Sequence, residues 1–181
     1  MKEKKYNEGA ESFKKCIQLD PSFAPAYREM GELYFRAGRY KEAKDNYKSY
    51  VQKTEGDLQA QVRYCQFLYL SKEYQEAVNQ INIVLKDTTT NVLLRLLGYS
   101  YIELKNYSEG LKTLDKYFAR IKPENQIAKD YENYAKALDN TNQDSLAVIY
   151  YEKAMQMDPN LNYYSTIGDC WSDIKSWEES G

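Results

Sequence analysis

Histidine is missing from this 181-residue chain, which removes the commonest general base, proton shuttle and metal ligand of proteins. The three cysteines are an odd number without metal-ligand spacing, so neither a disulfide framework nor a zinc site is indicated. Neither a Walker loop nor a Gly-x-Gly-x-x-Gly motif occurs, and Ser and Cys nucleophiles lack a histidine partner. We therefore expect no enzymatic activity, no cofactor and no bound metal.

Long apolar runs and a charge excess are missing as well. The densest apolar run, Val92 to Leu97, is interrupted by Arg95, and none approaches the ~18 residues of a membrane span. The chain has 25 basic and 27 acidic residues, a net charge of −2, which argues against nucleic acid or an acidic membrane surface as the partner. No secretory signal pattern is present. We expect a soluble protein, and its compartment, cytoplasmic or exported, stays open.

Strand-like alternation is nearly absent, and the four prolines and eight glycines are few. Charged and apolar residues recur instead at intervals of three and four, which is the helical period. The chain is therefore predicted to be all-helical. Within these helices we expect the three cysteines, Cys16, Cys65 and Cys170, to be small buried apolar residues.

Small residues recur along the chain at intervals near 34 residues. One series occupies the eighth position of a repeating unit: Gly31, Cys65, Gly98, Ala135 and Gly168. A second occupies the twentieth position: Gly9, Ala43, Ala77, Gly110 and Ala147. Such a period predicts stacked supersecondary units. Small residues are expected where two antiparallel helices touch closely, because larger side chains would push the helices apart.

The unit boundaries follow from this register. Full repeats are predicted at 24–57, 58–90, 91–127 and 128–160, with partial repeats at 1–23 and 161–181, all within a single domain. The interval from Gly98 to Ala135 is three residues longer than the others. We expect the extra length between Arg120 and Ile127, as a longer link or an added helical turn. Because both terminal units are incomplete, the segment is expected to come from a longer protein.

Residues Tyr27 to Tyr50 carry the most typical stretch of the pattern. It reads Tyr27-x2-Met30-Gly31-x2-Tyr34, followed by Gly38-x-Tyr40-x2-Ala43-x3-Tyr47. Four such units in register resemble the tetratricopeptide repeat family. The resemblance implies an all-α fold, a right-handed superhelical array of antiparallel helix pairs (an α-solenoid), and a role in holding other proteins.

In that family the first helix of each unit lines the concave face, chiefly at positions 2, 5, 9, 12 and 13. The resemblance therefore implies a peptide-binding groove with these candidates: Arg28, Glu32, Phe35, Arg36, Gln66, Tyr69, Arg95, Tyr99, Ile102, Glu132, Lys136 and Asp139. We hypothesise that an extended peptide or a helix binds there, with a carboxylate near Arg28 and Arg95 and basic groups toward Glu132 and Asp139. The alternative is that these are ordinary solvated charges. The lysine and asparagine cluster with which some relatives bind chaperone tails is not matched.

Most of the 19 tyrosines occupy apolar positions of the repeat and are predicted to form the core. Four do not fit that template: Tyr69, Tyr99, Tyr150 and Tyr163. The segment from Asp139 to Asp144 lacks the glycine and glutamate of a calcium-binding loop, so it is interpreted as a polar turn.

The leading functional prediction is a non-catalytic scaffold that binds a protein or peptide whose identity the residues do not specify. One alternative is a structural arm of a larger enzyme or ligand-receptor assembly. Another is self-association through the incomplete terminal repeats.

Overall fold

A computed structural model of the chain describes residues 2–54 and 57–180, with side chains described for 6–54 and 57–175. These residues form ten α-helices and one short 3-10 helix, and no β-strand occurs in the same ranges. The all-α prediction is confirmed. Residues 1, 55, 56 and 181, which belong to predicted repeats, lie outside the described residues.

The chain divides into two compact units, Met1–Thr88 and Thr89–Gly181. The first unit contains five helices: α1 (Lys2–Leu19), α2 (Ala24–Arg36), α3 (Tyr40–Lys53), α4 (Leu58–Leu70) and α5 (Tyr74–Val84). Each helix packs on the next along the chain. The buried side chains at this packing include Phe67, Leu68 and Ile81, each fully buried.

The second unit contains α6 (Asn91–Glu103), α7 (Tyr107–Phe118), the 3-10 helix Pro123–Asn125, α8 (Ala128–Asp139), α9 (Asp144–Met157) and α10 (Tyr164–Ser180). Here too each α-helix packs on its successor, and α6 also contacts α8. The extra residues between Gly98 and Ala135 form a longer link between α7 and α8. This link contains the 3-10 helix as a short separate turn, so neither α-helix is extended by an added turn. No helix of the described ranges is both long and apolar enough to cross a membrane.

The helices α2, α4, α6 and α8 begin at Ala24, Leu58, Asn91 and Ala128, the residues at which the predicted full repeats begin. Each is the first helix of a hairpin with the helix that follows. The predicted division into repeats within one domain remains a prediction.

The turns inside these four hairpins share one backbone geometry. The fifteenth residue of each repeat has a positive φ: Gly38 (73°), Lys72 (63°), Lys105 (60°) and Asn142 (58°). In each turn the next residue donates its N–H to a carbonyl five residues earlier, as from Arg39 to Tyr34 at 2.9 Å. This is the αL ending of a helix. Glycine adopts a positive φ most easily, but only one of the four turns has glycine at this fifteenth position. The other three turns are therefore hard to recognise from the sequence.

Close helix contacts occur at the predicted small residues. A Cβ added to Gly98 would lie 2.6 Å from Leu114 Cδ2, and one added to Gly31 would lie 2.5 Å from Tyr47 Cδ2. Cys65, Ala135, Ala43, Ala77 and Ala147 are fully buried. Gly168 differs, because it is exposed and an added Cβ would meet no described atom within 4 Å apart from its chain neighbours and the backbone of its own helix.

The cysteine prediction is confirmed for two of the three residues. Cys65 and Cys170 are buried, whereas Cys16 is exposed. It was wrong for Cys16 because this residue lies on a face of α1 that the neighbouring helix does not cover. Burial raises the pKa of the Cys65 thiol to about 12, so this thiol stays protonated at neutral pH.

We predict opposite effects of one substitution at two glycines. Gly98→Ala should lower the free energy of unfolding by about 1–3 kcal/mol, because the methyl group meets the buried side chain of Leu114. Gly168→Ala should raise it by about 0.5–1 kcal/mol, because alanine favours the helix and the added methyl group meets open space. Urea denaturation followed by circular dichroism measures both. Equal effects at the two sites would contradict the assignment of Gly98 to a close helix contact.

Candidate functional site

In the first unit the candidate residues lie on α2 and α4 and differ in exposure. Arg28 and Arg36 are exposed, whereas Glu32, Phe35, Gln66 and Tyr69 are half-buried. Four of the six lie on α2, at positions 5, 9, 12 and 13 of the repeat. The helical period places these positions on one side of the helix. This side of the helix therefore offers both charge and aromatic surface.

Glu32 is the centre of an ion-pair cluster between α2, α3 and α4. It receives hydrogen bonds from Arg63 Nε at 2.9 Å, Arg63 Nη2 at 2.8 Å and the Tyr47 hydroxyl at 2.7 Å. Arg63 also donates Nη1 to Gln66 Oε1 at 2.9 Å and lies 4.6 Å from the centre of the Phe35 ring. Glu32 and Gln66, both predicted to bind a ligand, are therefore already paired with Arg63.

This pairing determines the ionisation of Glu32. Burial opposes its charge, but the hydrogen bonds from Arg63 and Tyr47 outweigh burial and hold the pKa of Glu32 below its ordinary value of 4.5. Burial and the neighbouring carboxylate raise the pKa of Tyr47, so its hydroxyl remains a donor. The cluster is a fixed bidentate pair of the strong type.

Arg28 lies beside a cavity of about 280 Å³ in the same unit. Its guanidinium pairs with Glu29 at 2.7 Å, and both side chains are almost half exposed. The cavity is lined by Arg28, Tyr47, Tyr50, Asp57, Gln59, Ala60 and Arg63. Asp57 caps α4 by accepting the N–H of Ala60 at 3.1 Å and also accepts the Tyr50 hydroxyl at 3.2 Å.

In the second unit Arg95 has a partner within the chain. It donates Nε to Asp130 Oδ1 at 2.8 Å and Nη2 to Asp130 Oδ2 at 2.9 Å. Nη2 also donates to the Tyr117 hydroxyl. It donates in addition to the backbone carbonyl of Asn125, at 3.2 Å. Arg95 was predicted to bind a carboxylate of a ligand. In the structure its guanidinium already binds the carboxylate of Asp130 on α8.

Asp130 is fully buried, and its carboxylate is saturated with donors. The Tyr99 hydroxyl donates to Oδ1 at 2.6 Å, and the Tyr117 hydroxyl and the Ile127 N–H donate to Oδ2 at 3.1 and 2.9 Å. Burial and Asp130 raise the pKa of Tyr117 to about 12 and raise that of Tyr99 further. A buried carboxylate with this many partners is a structural element that ties α6 and α7 to α8.

Three candidates of the second unit are buried: Tyr99 is 4% exposed, Ile102 5% and Glu132 6%. Glu132 accepts Lys129 Nζ at 2.9 Å and Lys136 Nζ at 2.6 Å. Burial opposes its charge, but the lysines hold its pKa below the ordinary value. These three residues offer a partner little surface, because neighbouring side chains cover them.

Lys136 and Asp139 are half-buried. Lys136 lines a cavity of about 350 Å³ together with Ile102, Glu103, Lys105, Tyr107 and Asn140. Asp139 accepts the Tyr151 hydroxyl at 3.2 Å and the Cys170 thiol at 3.8 Å. Ligand atoms of Asp139, Asp144 and Cys170 lie within 4.8 Å of one another, and burial and the neighbouring carboxylates raise the pKa of Asp144.

The off-template tyrosines serve packing in at least two cases. The Tyr150 ring lies 4.6 Å from Tyr134 and 5.9 Å from Tyr131, with Lys153 Nζ 4.6 Å from its centre. The Tyr163 ring lies 4.8 Å from Tyr151. Both are half-buried and pack against the buried core of the second unit.

The sequence analysis missed four residues of these clusters: Arg63, Tyr47, Tyr117 and Asp130. Arg63 and Asp130 stand at positions that the groove template omits, and the tyrosines were assigned to the core. A signal was available in the spacing, since Arg63 and Asp130 follow their partners by 31 and 35 residues, close to one repeat.

Comparison with known proteins gives matches to tetratricopeptide repeats. Family models of this repeat match residues 1–45 and 131–161. No curated protein sequence matches the chain significantly.

Several solved structures share the fold. The crystal structure of MamA is 18% identical, with a TM-score of 0.71, covering 90% of this chain and 87% of its own. YrrB, described as a TPR protein with an unusual peptide-binding site, is 17% identical with a TM-score of 0.68, covering 92% and 85%. MamA from Desulfovibrio magneticus RS-1 is 20% identical with a TM-score of 0.65, covering 87% and 96%. These likenesses confirm the α-solenoid fold class.

We predict that Glu32 makes stability depend on acid pH. A carboxylate whose folded pKa is lowered stabilises the fold above its unfolded pKa, and that stability is lost as the pH falls through the folded pKa. The free energy of unfolding should therefore decrease below about pH 4.5, and the decrease should be smaller in Glu32→Gln. Denaturant titrations across this range test it, and superimposable pH profiles would refute it.

We predict that Asp130→Asn lowers the free energy of unfolding by about 3 kcal/mol, because it removes the charge that compensates Arg95 in a buried site. The matched control is Glu109→Gln, which removes an exposed pair with Lys112 at 3.6 Å and should cost under about 0.5 kcal/mol. Urea denaturation compares the two. A cost at Asp130 as small as that of the control would show that the network is not a structural tie.

Proposed function

We infer, from the premise that the chain belongs to the tetratricopeptide repeat family, that it is a non-catalytic scaffold for protein–protein interaction. Its ligand is an extended peptide or a helix that lies along the first helices of the repeats. The partner is a protein or peptide rather than nucleic acid, consistent with the net charge of −2.

The proposal rests on one side of α2 and α4 in the first unit, where candidate side chains remain accessible to solvent. It presents two exposed arginines, Arg28 and Arg36, beside the half-buried rings of Phe35 and Tyr69. Arginine and aromatic side chains are enriched among residues that dominate binding energy. Phe35 is held in place by Phe67, 5.5 Å away, and by Arg63, so it presents a fixed surface at low entropic cost.

The candidate residues of the second unit, taken by itself, differ in accessibility. Lys136 and Asp139 remain partly accessible, whereas Arg95 and Tyr99 are bound to Asp130. We therefore assign Arg95 and Tyr99 a positioning role, in which they hold α8 against α6 rather than touch a ligand. The description of YrrB as a peptide-binding TPR protein supports the proposal by analogy of fold.

Self-association is a second candidate, because α10 exposes large side chains. Tyr164 is 74% exposed and Trp171 56% exposed. Such residues favour contact with another protein surface. Light scattering over a range of concentrations tests this candidate, and a monomer at every concentration would eliminate it.

For the scaffold, we predict that peptides selected from a random library against the protein bind the Arg36→Ala/Tyr69→Ala variant at least about tenfold more weakly, because both side chains are lost from the open side. Lys41→Ala/Lys48→Ala is the matched control, since both lysines are exposed on α3. Fluorescence anisotropy measures the affinities. Unchanged affinity in the first variant, or an equal loss in the control, would contradict the placement of the site.

A further inference from the structure

Two complete hairpins, one in each unit, define which positions of a first and a second helix come together. In α2–α3 an added Cβ at Gly31, the eighth residue of its repeat, would meet Tyr47, the twenty-fourth. In α6–α7 the same two positions are held by Gly98 and Leu114, which meet in the same way. Positions 8 and 24 are therefore markers of a hairpin contact.

The helix α10 has the features of a first helix that no second helix covers. Its eighth position is Gly168, which is exposed, and an added Cβ there would meet open space outside its own helix. Trp171 follows this glycine by three residues and Tyr164 precedes it by four, so both exposed rings lie on the same side of α10. One side of α10 is therefore apolar, uncovered and open to close approach.

The helix α1 has the complementary features of a second helix. Phe13 stands at position 24 and is half-buried, and Cys16 stands at position 27 and is exposed. Both positions are buried in α3, α5, α7 and α9. Leu19, three residues further along α1, is 87% exposed. The side chains of α1 thus lack the cover that a first helix gives to the other second helices.

The two uncovered sides match position by position. Paired as a hairpin, α10 and α1 would bring Phe13 onto Gly168, at the positions that meet in α2–α3 and α6–α7. They would also bring Leu19 onto Tyr164, at positions 30 and 4. In α2–α3 these two positions hold a lysine ammonium 5.0 Å from the centre of a tyrosine ring. The pairing would remove two exposed apolar side chains from water at this point.

The charges beside the two sides are opposite in sign. On α10 Asp169 and Asp173 are exposed. Beside α1 a cavity of about 410 Å³ is lined in part by Tyr6 of α1 and by Arg36, an exposed arginine of α2. Arg36 and Asp173 both stand at position 13, and successive first helices are neighbours, as α6 and α8 are. This complementarity favours a second copy of the chain as the occupant, because every copy carries both charges.

We propose, on the basis of the self-association candidate above, that α10 of one copy pairs with α1 of a second copy as the two helices of a repeat hairpin. The partner is another molecule of this chain, and the interface joins two different surfaces. Such a heterologous contact leaves an unused α1 and an unused α10 on every pair. It therefore builds head-to-tail oligomers rather than a two-fold symmetric dimer.

Gly168→Leu tests the pairing, because the new side chain meets open space in a single copy but would collide with Phe13 of a second copy. Gln156→Leu is the matched control, since Gln156 is exposed on α9 and lies outside both paired sides. In sedimentation velocity from about 1 to 500 µM we expect the wild type and the control to form oligomers larger than a dimer. The association constant should be at least about tenfold lower in Gly168→Leu.

A cross-linking experiment tests the register, and it decides the matter if Gly168→Leu fails to fold. In the first unit Arg28 at position 5 and Tyr50 at position 27 line one cavity. Cys16 at position 27 should therefore lie near Ser165, at position 5, of another copy. The wild-type chain is mixed with Cys16→Ser/Ser165→Cys and treated with a short bismaleimide. We expect mass spectrometry to find Cys16 of one chain joined to residue 165 of the other, and Cys16→Ser/Gln156→Cys is the matched control.

The outcomes separate this pairing from self-association in general. A monomer at every concentration would overturn both. If oligomers form, an unchanged association constant in a folded Gly168→Leu, or an equal loss in Gln156→Leu, overturns the pairing while self-association stands. Cross-linking that is as strong at residue 156 as at residue 165 overturns the pairing in the same way.

Discussion

Close contact between the two helices of each hairpin is the constraint on which the structure depends. At Gly31 and Gly98 there is no room for even a methyl group, because Tyr47 and Leu114 from the partner helix occupy that space. The same positions hold Cys65 and Ala135 in other repeats, fully buried. A helix pair this close buries its apolar sides and leaves the outer positions of the first helix for other contacts. Those outer positions carry the candidate site.

Bidentate ion pairs between successive first helices form a second level of organisation. Glu32 with Arg63 joins α2 to α4, and Arg95 with Asp130 joins α6 to α8. Each pair has a tyrosine donor from an intervening helix, Tyr47 or Tyr117. The direction of charge is opposite in the two pairs, since arginine precedes its carboxylate only in the second. Arginine on a first helix is therefore an internal tie in at least two places of this chain, Arg63 and Arg95, and its partner identifies it as such.

The candidate residues lie on the first helices of the repeats, but the residue pattern did not separate accessible side chains from those already paired within the chain. Position in the repeat correctly put Arg28, Arg36 and Phe35 on one side of α2. It treated Arg28 and Arg95 as equivalent because both stand at position five. They differ because Ala60 and Asp130 stand opposite them, one repeat later. A periodic template scores each position alone, whereas accessibility depends on the side chain that meets it from another helix.

The amino-acid sequence by itself determined the helical class, the repeat length, the first residues of α2, α4, α6 and α8, and the need for small residues at helix contacts. These properties are local or periodic, so the spacing of residue types along the chain is enough to predict them. Only the tertiary structure decided which charges are paired, which tyrosines are covered, and that a cavity lies beside Arg28. Such features depend on distances of about 3 Å between residues roughly 30 apart, and residue order alone does not specify those distances.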